Sequence, residues 1–541
     1  MAPSIPAGLT LKSHPSKGRA LHTTAAIKAG QIIAVFNPTL LLPSSGSLSD
    51  ICTYCFKRGK PRSCKQCRVA YYCDAKCQTA HWTTVHKAEC VTLSKSVSSV
   101  AQRRQMPTPI RALLQVLLTQ GVDGGVLADL EGHVAQKRGQ PGWADWELMA
   151  MAACAFSGLG TEGDTVNKAT ELLCKINTNA FHRFDADIGD HGVFLEPALA
   201  MVNHSCVPNA FVQFVGRTAI LRAEGDIAAG DEIEISYTDN TTPLEKRREN
   251  LTQYTFECEC PRCKDDLNVY QACATSPSAD LNKTWFDDWD TKLRKHHGIT
   301  NEVAVKTSQN APLEALETIE LASQVENLEV KEKAIKDQYE ACRELIDQNL
   351  WAVSPLANIL TEISILYSEK QNFAYALFVA CFSACESDPF RFPAVFHPSR
   401  ARALLVIAKL LSNTAPLAAK QQSAEHSTSP ERTLYESAIE KLVKIDQVSL
   451  CQMLLVIILR GASDKRLMEW EVANGAAEML YEIENLPGRE QENSLIRLWQ
   501  ESPGDDESKA LFHYAVVKQL DTLAQLGKQV LESDFDPKNQ K

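Results

Sequence analysis

Asn203-His204-Ser205-Cys206-Val207-Pro208-Asn209, taken with Cys258-Glu259-Cys260-Pro261-Arg262-Cys263 downstream, decides the reading of this chain. Cys206, Cys258, Cys260 and Cys263 make one potential zinc set, and an Asn-His pair sits almost against its first member. Working outward, eight more ligands crowd into one short upstream segment: Cys52, Cys55, Cys64, Cys67, Cys73, Cys77, His86 and Cys90. Zn2+ takes four Cys or His ligands tetrahedrally, so the three sets suit three ions. The upstream order is Cys-x2-Cys, Cys-x2-Cys, Cys-x3-Cys and His-x3-Cys, which leaves interleaved and sequential pairing both open. The last two pairs have helical spacing and are predicted to lie on short helices. With so few apolar residues in the segment, metal must stand in for a core. Zinc held by four protein ligands keeps no open position, so these ions are scaffold and the chemistry must come from residues beside them. His81 is then surplus, expected to pack or hydrogen-bond.

The chain has 541 residues, 44% apolar and 23% charged, which is globular composition with length for several domains. Its first residues, Met-Ala-Pro-Ser-Ile-Pro, lack the basic start and apolar run of a secretory signal, and the apolar stretch around Met453 to Leu459 is too short to span a bilayer. A soluble, monomeric protein of the cytoplasm and nucleus is expected. Clustered cysteine pairs in a reducing compartment read as metal thiolates, while Cys154, Cys174, Cys273, Cys342, Cys381, Cys385 and Cys451 are scattered and read as core residues. Charge is uneven. Residues 52–90 carry eight Lys/Arg against two Asp/Glu, whereas residues 266–541 carry 28 against 41, a net of -13 that would attract a basic partner.

Other pieces flank these sets. Lys17-Gly18-Arg19-Ala20-Leu21 and Ile27-Lys28-Ala29-Gly30-Gln31-Ile32-Ile33 form a turn-strand pattern whose glycines permit close backbone approach to a ligand. Asn177-Thr178-Asn179-Ala180-Phe181 reads as an Asn-rich turn. Ala219 to Ala223 is strand-like, and Ile227-Ala228-Ala229-Gly230-Asp231-Glu232-Ile233 leads into Ile235-Ser236-Tyr237. Tyr254-Thr255-Phe256-Glu257 runs into Cys258.

The ligand segment resembles a MYND finger, including Tyr72 before Cys73 and the His81-Trp82 pair ahead of His86. By that resemblance the ions interleave, with Cys52, Cys55, Cys73 and Cys77 on one and Cys64, Cys67, His86 and Cys90 on the other. The flanking motifs, in this order around the finger, resemble the SET and MYND domain methyltransferase family over about residues 1–265. The resemblance implies an α+β fold: a β-rich SET core interrupted by a MYND zinc finger and a helical insert, a post-SET zinc site, and an all-α TPR-like C-terminal domain. The expected divisions are 1–49 (first SET part), 50–90 (finger), 91–175 (helical insert), 176–240 (SET core), 241–265 (post-SET segment) and 266–541 (helical domain).

What this implies for function is S-adenosylmethionine-dependent methylation of a lysine on a histone or non-histone protein. By resemblance Lys17, Gly18, Arg19, Asn179, Asn203 and His204 cradle the cofactor, Asn203 and His204 through side-chain donors and acceptors. Tyr237 is the catalytic candidate, at the meeting of cofactor methyl and target amine, with Tyr254 and Phe256 completing an aromatic wall suited to cations. The competing reading is an adaptor with little activity that recruits proteins in transcriptional regulation; methylation of a small molecule or nucleic acid is a third. The finger's partner is a peptide or a nucleic acid, or it is a rigid insert with none. One departure stands out: the family's Gly-Arg-Gly-Leu is Gly18-Arg19-Ala20-Leu21 here, and Ala20 would weaken cofactor binding if it needed a positive φ or lay against the cofactor.

Elsewhere, Ile110, Leu113, Leu114, Leu117 and Leu118 mark a helix over 108–120, Trp146 to Phe156 another, and Gly158 to Asp164 a loop. His133, His182 and His191 read as surface or packing residues. Residues 266–310, which include His296-His297, read as a connector with one helix. Helices are expected at 312–325, 329–349, 354–368, 372–386, 397–412, 430–443 and 448–460, with a flexible loop from Thr414 to Thr433.

Overall fold

The computed structural model describes residues 4–14, 17–96, 106–185, 189–296, 328–422 and 434–535. The expected helix at 312–325, His297, and the later part of the Thr414 to Thr433 stretch lie outside them. By contacts the chain divides into two units, one of residues 1–223, 227–237 and 250–258, the other of 224–226, 238–249 and 259–541.

The first unit is built from short strands: β1 (Leu9–His14), β2 (Gly18–Thr23), β3 (Ile32–Phe36), β4 (Leu40–Pro43), β5 (Arg62–Ser63), β6 (Tyr71–Tyr72), β7 (Phe181–Asp185), β8 (Gly189–Leu195), β9 (Asn203–His204), β10 (Ala210–Val215), β11 (Thr218–Ala223) and β12 (Glu234–Ile235). Their sheets are β1-β2, β10-β11-β3, β4-β8-β7, β5-β6 and β9-β12. The pairs are antiparallel except β9 with β12, which run parallel and set Asn203 opposite Glu234 and His204 opposite Ile235. Gly216, at φ 51°, takes the first central position of the two-residue turn joining β10 to β11, where a positive φ matches the strands' twist.

Two similar sequences, Ile27-Lys28-Ala29-Gly30-Gln31 and Ile227-Ala228-Ala229-Gly230-Asp231, fold alike and lock together. In each, glycine has a positive φ, and the residue after it accepts from the backbone N–H three residues earlier, Lys28 to Gln31 at 2.9 Å and Ala228 to Asp231 at 3.1 Å. Ile27 and Ile227 exchange reciprocal backbone bonds of 2.9 Å. The Gly230 turn is thereby fixed just ahead of β12.

Helices α1 (Ala75–His81), α2 (Lys87–Ser96), α3 (Thr108–Gln120), α4 (Val134–Arg138), α5 (Trp143–Ser157) and α6 (Gly163–Asn179) complete this unit. Leu113, Leu117, Ala150, Ala153 and Leu173 of α3, α5 and α6 share one core with Leu21, Leu42, Phe194, Leu199 and Leu221, so insert and strands bury their apolar faces together. Three expectations change. The loop after Gly158 ends where α6 begins at Gly163. Because Val166, Ala169, Leu173 and Ile176 keep helical spacing, α6 runs to Asn179, and the expected 175/176 division falls inside a helix. Asn177 and Asn179 therefore lie on that helix and not in a turn.

The second unit is helical among its described residues. Its first part, expected to hold one helix, has Val269–Thr275, a 3-10 turn at Ala279–Thr284, and Trp289–Lys295. The helix expected at 329–349 is broken between Leu328–Ala341 and Arg343–Asp347. Pro398–Gln422 continues through the first part of the expected Thr414 loop, since Ala, Leu, Lys and Gln are strong helix formers. The remaining helices match the expected periodicity closely. Among the described residues no single helix is long and apolar enough to cross a membrane.

Phe373–Glu386 packs closely on Lys518–Asp534. Gly527 makes the approach possible, because a Cβ there would collide with the Phe378 carbonyl. Gly527→Ala is expected to destabilise by about 1–3 kcal/mol through overpacking. Gly475→Ala, whose Cβ would meet Leu405 at an ordinary 3.5 Å, should be near neutral. Equal melting temperatures for the two variants would rule out this account of the contact.

Candidate active site and zinc centres

The finger's two Cys-x2-Cys turns share one construction. Phe56 and Arg68, at φ 62° and 58°, return backbone N–H bonds of 2.9 Å to the carbonyls of Cys52 and Cys64. These are left-handed positions that would ordinarily signal glycine, so their conformation is strained and held by the surrounding knuckle. Cys73 lies just before α1, not on it; Asp74 caps that helix by accepting from the Cys77 N–H at 2.8 Å. A π-helical turn, Trp82–His86, then inserts an extra residue before α2 and carries His86.

Three groups of four ligand atoms result, each with all its atoms within 4.8 Å of one another: Cys52, Cys55, Cys73 and Cys77; Cys64, Cys67, His86 and Cys90; and Cys206, Cys258, Cys260 and Cys263. The finger pairing is interleaved. Zn–S bonds of about 2.3 Å set tetrahedral S···S edges near 3.8 Å. Cys55–Cys73 at 3.7 Å and Cys64–Cys90 at 3.9 Å match that edge, and Cys73–Cys77 at 3.3 Å is shorter. The donor sets fit three structural zinc ions.

His81 is not among these ligands; its Nδ1 meets the Tyr72 hydroxyl at 2.8 Å and its ring stacks on His86. His86 faces Cys67 through Nε2, and its Nδ1 donates to Glu89 at 3.0 Å. Glu89 and Arg111 are 0% and 2% exposed. Arg111 reaches across from α3 with Nε and Nη2 at 2.7 and 3.2 Å, and Gln115 donates at 2.8 Å. Burial alone would raise the Glu89 pKa, but Arg111's charge and these hydrogen bonds hold it well below the usual carboxylate range. Sequence reasoning missed this carboxylate–histidine arrangement, whose signal was only Glu89 three residues after His86.

The second cluster of predicted residues gathers on β9 and β12. Asn203 Nδ2 donates to the Arg19 carbonyl at 3.0 Å and to Glu232 at 2.8 Å. Lys17 Nζ donates to Glu232 and Glu234 at 3.0 and 2.7 Å. Partial burial would lower the Lys17 pKa, but these two carboxylates raise it. Asn209 pins the strand from its other side, donating to the Glu232 carbonyl at 2.8 Å and accepting from the Glu234 N–H at 2.9 Å. Glu232 and Asn209 belong to motifs legible in the sequence and Glu234 lies between two of them, yet nothing in those motifs signals their roles here.

His204 is held by contacts within the protein. Its Nδ1 accepts the Tyr237 N–H at 2.9 Å, which places the ring proton on Nε2, facing Cys206 Sγ at 3.2 Å. Both nitrogens are thus engaged inside the protein, one by the Tyr237 backbone and one by the Cys206 sulfur. Ala20 lies in β2, fully buried and without a positive φ, which removes the conformational half of the concern about it. Gly18 does have a positive φ, 75°, and the space above it is open.

Tyr237, Tyr254 and Phe256 come together as expected. Ring centroids lie 4.8 Å apart for Tyr237–Tyr254 and 6.4 Å for Tyr237–Phe256, and His204 adds a fourth ring 5.3 Å from Tyr237. The Tyr237 hydroxyl donates to the Val202 carbonyl at 2.6 Å. Burial pushes the phenol's pKa up, so the hydroxyl stays protonated near neutrality. Segment 129–133, also missed, borders this group: Arg19 donates to the Asp129 carbonyl at 2.6 Å, Asn179 to the Glu131 carbonyl at 2.7 Å, and Thr255 pairs with His133 at 2.8 Å. Its signal was a polar Asp129 to His133 stretch containing Gly132 between helical runs. His182 and His191 stay outside every ligand group.

Residues 52–90 match the MYND finger family. The chain is 29% identical over 294 residues to SET domain and MYND-type zinc finger protein 6 of Schizosaccharomyces pombe, covering 54% of this chain and 56% of that protein. It is 26% identical over 273 residues to histone-lysine N-methyltransferase ASHR1 of Arabidopsis thaliana (48% and 55% covered) and 30% identical over 265 residues to histone-lysine N-methyltransferase SMYD3 of Mus musculus (46% and 60%). The chain thus spans little more than half the length of these relatives. With an interleaved finger, a four-cysteine set at Cys206 and a His204 side chain bonded to the Tyr237 backbone, this chain is similar to the SET and MYND domain protein-lysine methyltransferases.

Proposed function

We propose that the protein is an S-adenosylmethionine-dependent protein-lysine N-methyltransferase. The aromatic group of Tyr237, Tyr254 and Phe256, oriented through His204, carries this reading, because electron-rich rings suit both a sulfonium and an alkylammonium. When bound, S-adenosylmethionine supplies an electrophilic methyl on a positively charged sulfur.

The chain's own residues fit that group. Lys17 uses two of its three N–H donors on Glu232 and Glu234, which leaves one for a ligand carboxylate. Gly18, Arg19, Asn179 and Asn203 frame the same region. Methyl transfer to an amine needs alignment and a neutral nucleophile more than a strong base. Because the Tyr237 O–H is committed to the Val202 carbonyl, its oxygen presents lone pairs, suited to accepting an N–H of the target amine and aiming its free pair. Tyr254, half-buried, and Phe256, 40% exposed, place ring faces beside it that suit a cation. The substrate is a protein lysine, on a histone or another protein of the nucleus or cytoplasm, and the finger docks a peptide partner.

Tritium-methyl labelling of a whole-cell lysate by the zinc-loaded protein is expected to mark protein and not RNA, with mass spectrometry assigning the product to lysine. A folded, zinc-loaded chain that neither binds cofactor saturably nor labels any protein would instead be the adaptor.

A further inference from the structure

We propose that a cavity inside the helical unit is a receptor for the cationic side chain of a basic peptide. It is open on one side to solvent, holds about 620 Å³ and is walled by the 285–292 segment, the end of Phe373–Glu386, Pro398–Gln422 and the His513–Lys518 turn. That volume is ample for one long side chain with its adjoining backbone. None of the proposed methyl-transfer residues lines it.

Two opposite charges on the wall are left unjoined. Arg400, 5% exposed, anchors its guanidinium by one nitrogen, donating to Asn282 Oδ1 at 2.6 Å and weakly to the Pro393 carbonyl at 3.4 Å. Its other nitrogens make no hydrogen bond among the described residues. Asp388, partly exposed on the same cavity, has neither a hydrogen bond nor an ion pair on its carboxylate among them. Arg400 and Arg391 are close enough to be felt, yet burial still pushes the Asp388 carboxyl up. A ligand with a cation for Asp388 and a peptide carbonyl for Arg400 would satisfy both.

The remaining wall favours the cation. Asp287, Asp288 and Asp521 add three carboxylates, Asp287 lying 3.4 Å from His513 Nε2, against Lys518 and a Lys292 already neutralised by Glu386 at 2.6 Å. Trp285 and Phe286 already hold cations of the wall over their rings, Arg400 at 5.7 Å and Lys292 at 5.2 Å, and their remaining edges offer apolar surface for an aliphatic stem. Residues 266–541 carry a net -13, so a basic peptide would be drawn to this unit over a distance. The wall also contains a π-helical turn, His513–Val517, the same departure from α-helix that carries a zinc ligand in the finger. Such turns cost helix stability and recur at functional sites.

The test uses full-length zinc-loaded protein and acetyl-Gly-Arg-Gly-amide, an arginine peptide chosen because a lysine methylation site would not require it, with the citrulline analogue as neutral control. Ligand-observed saturation-transfer NMR should show saturable binding of the arginine peptide and at least tenfold weaker binding of the citrulline one. Asp388→Asn should weaken the arginine peptide at least tenfold, and Ala403→Phe, which fills the cavity from another helix, should do the same if Asp388→Asn does not fold. Tyr237→Phe should leave it unchanged, so loss of methylation and loss of this site are separable. Equal binding of the two peptides, or wild-type binding by a folded Asp388→Asn or Ala403→Phe protein, would overturn the proposal.

Discussion

Arg111→Met is expected to destabilise the protein by about 3–5 kcal/mol and to loosen one finger zinc by about 10- to 100-fold. Glu89 is wholly buried, and Arg111 is the cation that bonds it directly, at 2.7 and 3.2 Å. Methionine matches much of the arginine stem's volume but supplies neither charge nor donor. The carboxylate would then be buried with only Gln115 and His86 for partners, and protonation would become its cheaper state. A neutral carboxyl is a poorer acceptor for His86 Nδ1, so the imidazole would be a weaker and less firmly oriented ligand. One substitution therefore acts twice, through a buried charge and through a metal bond.

The two effects can be pulled apart. Glu89→Gln alone leaves Arg111 as the unpaired buried charge and should cost a similar amount of stability. Arg111→Met with Glu89→Gln removes both charges and should recover much of the melting temperature, as neutral replacements of buried ion pairs do. It should not recover zinc retention, because His86 still lacks an ionised acceptor. Thermal melts and timed zinc release to a chromophoric chelator measure the two quantities separately. A double variant that regains stability and zinc together would show that the arrangement supports packing and not the metal.

The relay was hidden in the sequence for a definite reason. Ligand spacing is local, so Cys52 to Cys90 and the Cys258–Cys263 run could be read directly, and the interleaving followed from resemblance. Arg111 sits on another helix, and nothing in its own neighbourhood says it folds onto Glu89. Phe56 and Arg68 escaped because left-handed positions are recognised through glycine, and the knuckle imposes the conformation on residues that do not advertise it. Asn179 was placed in a turn by its Asn-rich company, although the spacing of Val166, Ala169, Leu173 and Ile176 was already carrying a helix to it. The helix through 414–422 was masked by weighing Ser, Gln and Pro as loop composition over the helix preference of Ala and Gln. For the site, the motif named His204 correctly as a member but said nothing about where its nitrogens point. A parallel two-residue pairing of β9 with β12 settles that, by setting the Tyr237 N–H against Nδ1.

Tyr237→Phe is expected to lower kcat for lysine methylation by about 100-fold or more while changing cofactor affinity little, the pattern of a lost positioning contact. The substitution keeps the ring, and hence its packing against Tyr254, Phe256 and His204. It removes only the oxygen that would hold the target amine, together with the hydrogen bond to the Val202 carbonyl. The orphaned carbonyl should cost about 1–3 kcal/mol, visible as a lower melting temperature without loss of zinc. Tyr254→Phe is the matched control: its hydroxyl makes no hydrogen bond among the described residues, so its loss should cost less than tenfold in kcat. The pH profile adds an independent check. With its pKa pushed up by burial, Tyr237 does not titrate between about pH 6 and 9, whereas a free lysine amine, with a pKa of about 10.4, gains its neutral nucleophilic form steadily as pH rises. The wild-type rate should therefore climb with pH, and Tyr237→Phe should climb in parallel from a lower level. If Tyr237→Phe turned over at the wild-type rate, or its profile lost the rise with pH that the wild type shows, the oxygen would not be positioning the amine, and the catalytic contribution would have to come from the aromatic enclosure alone.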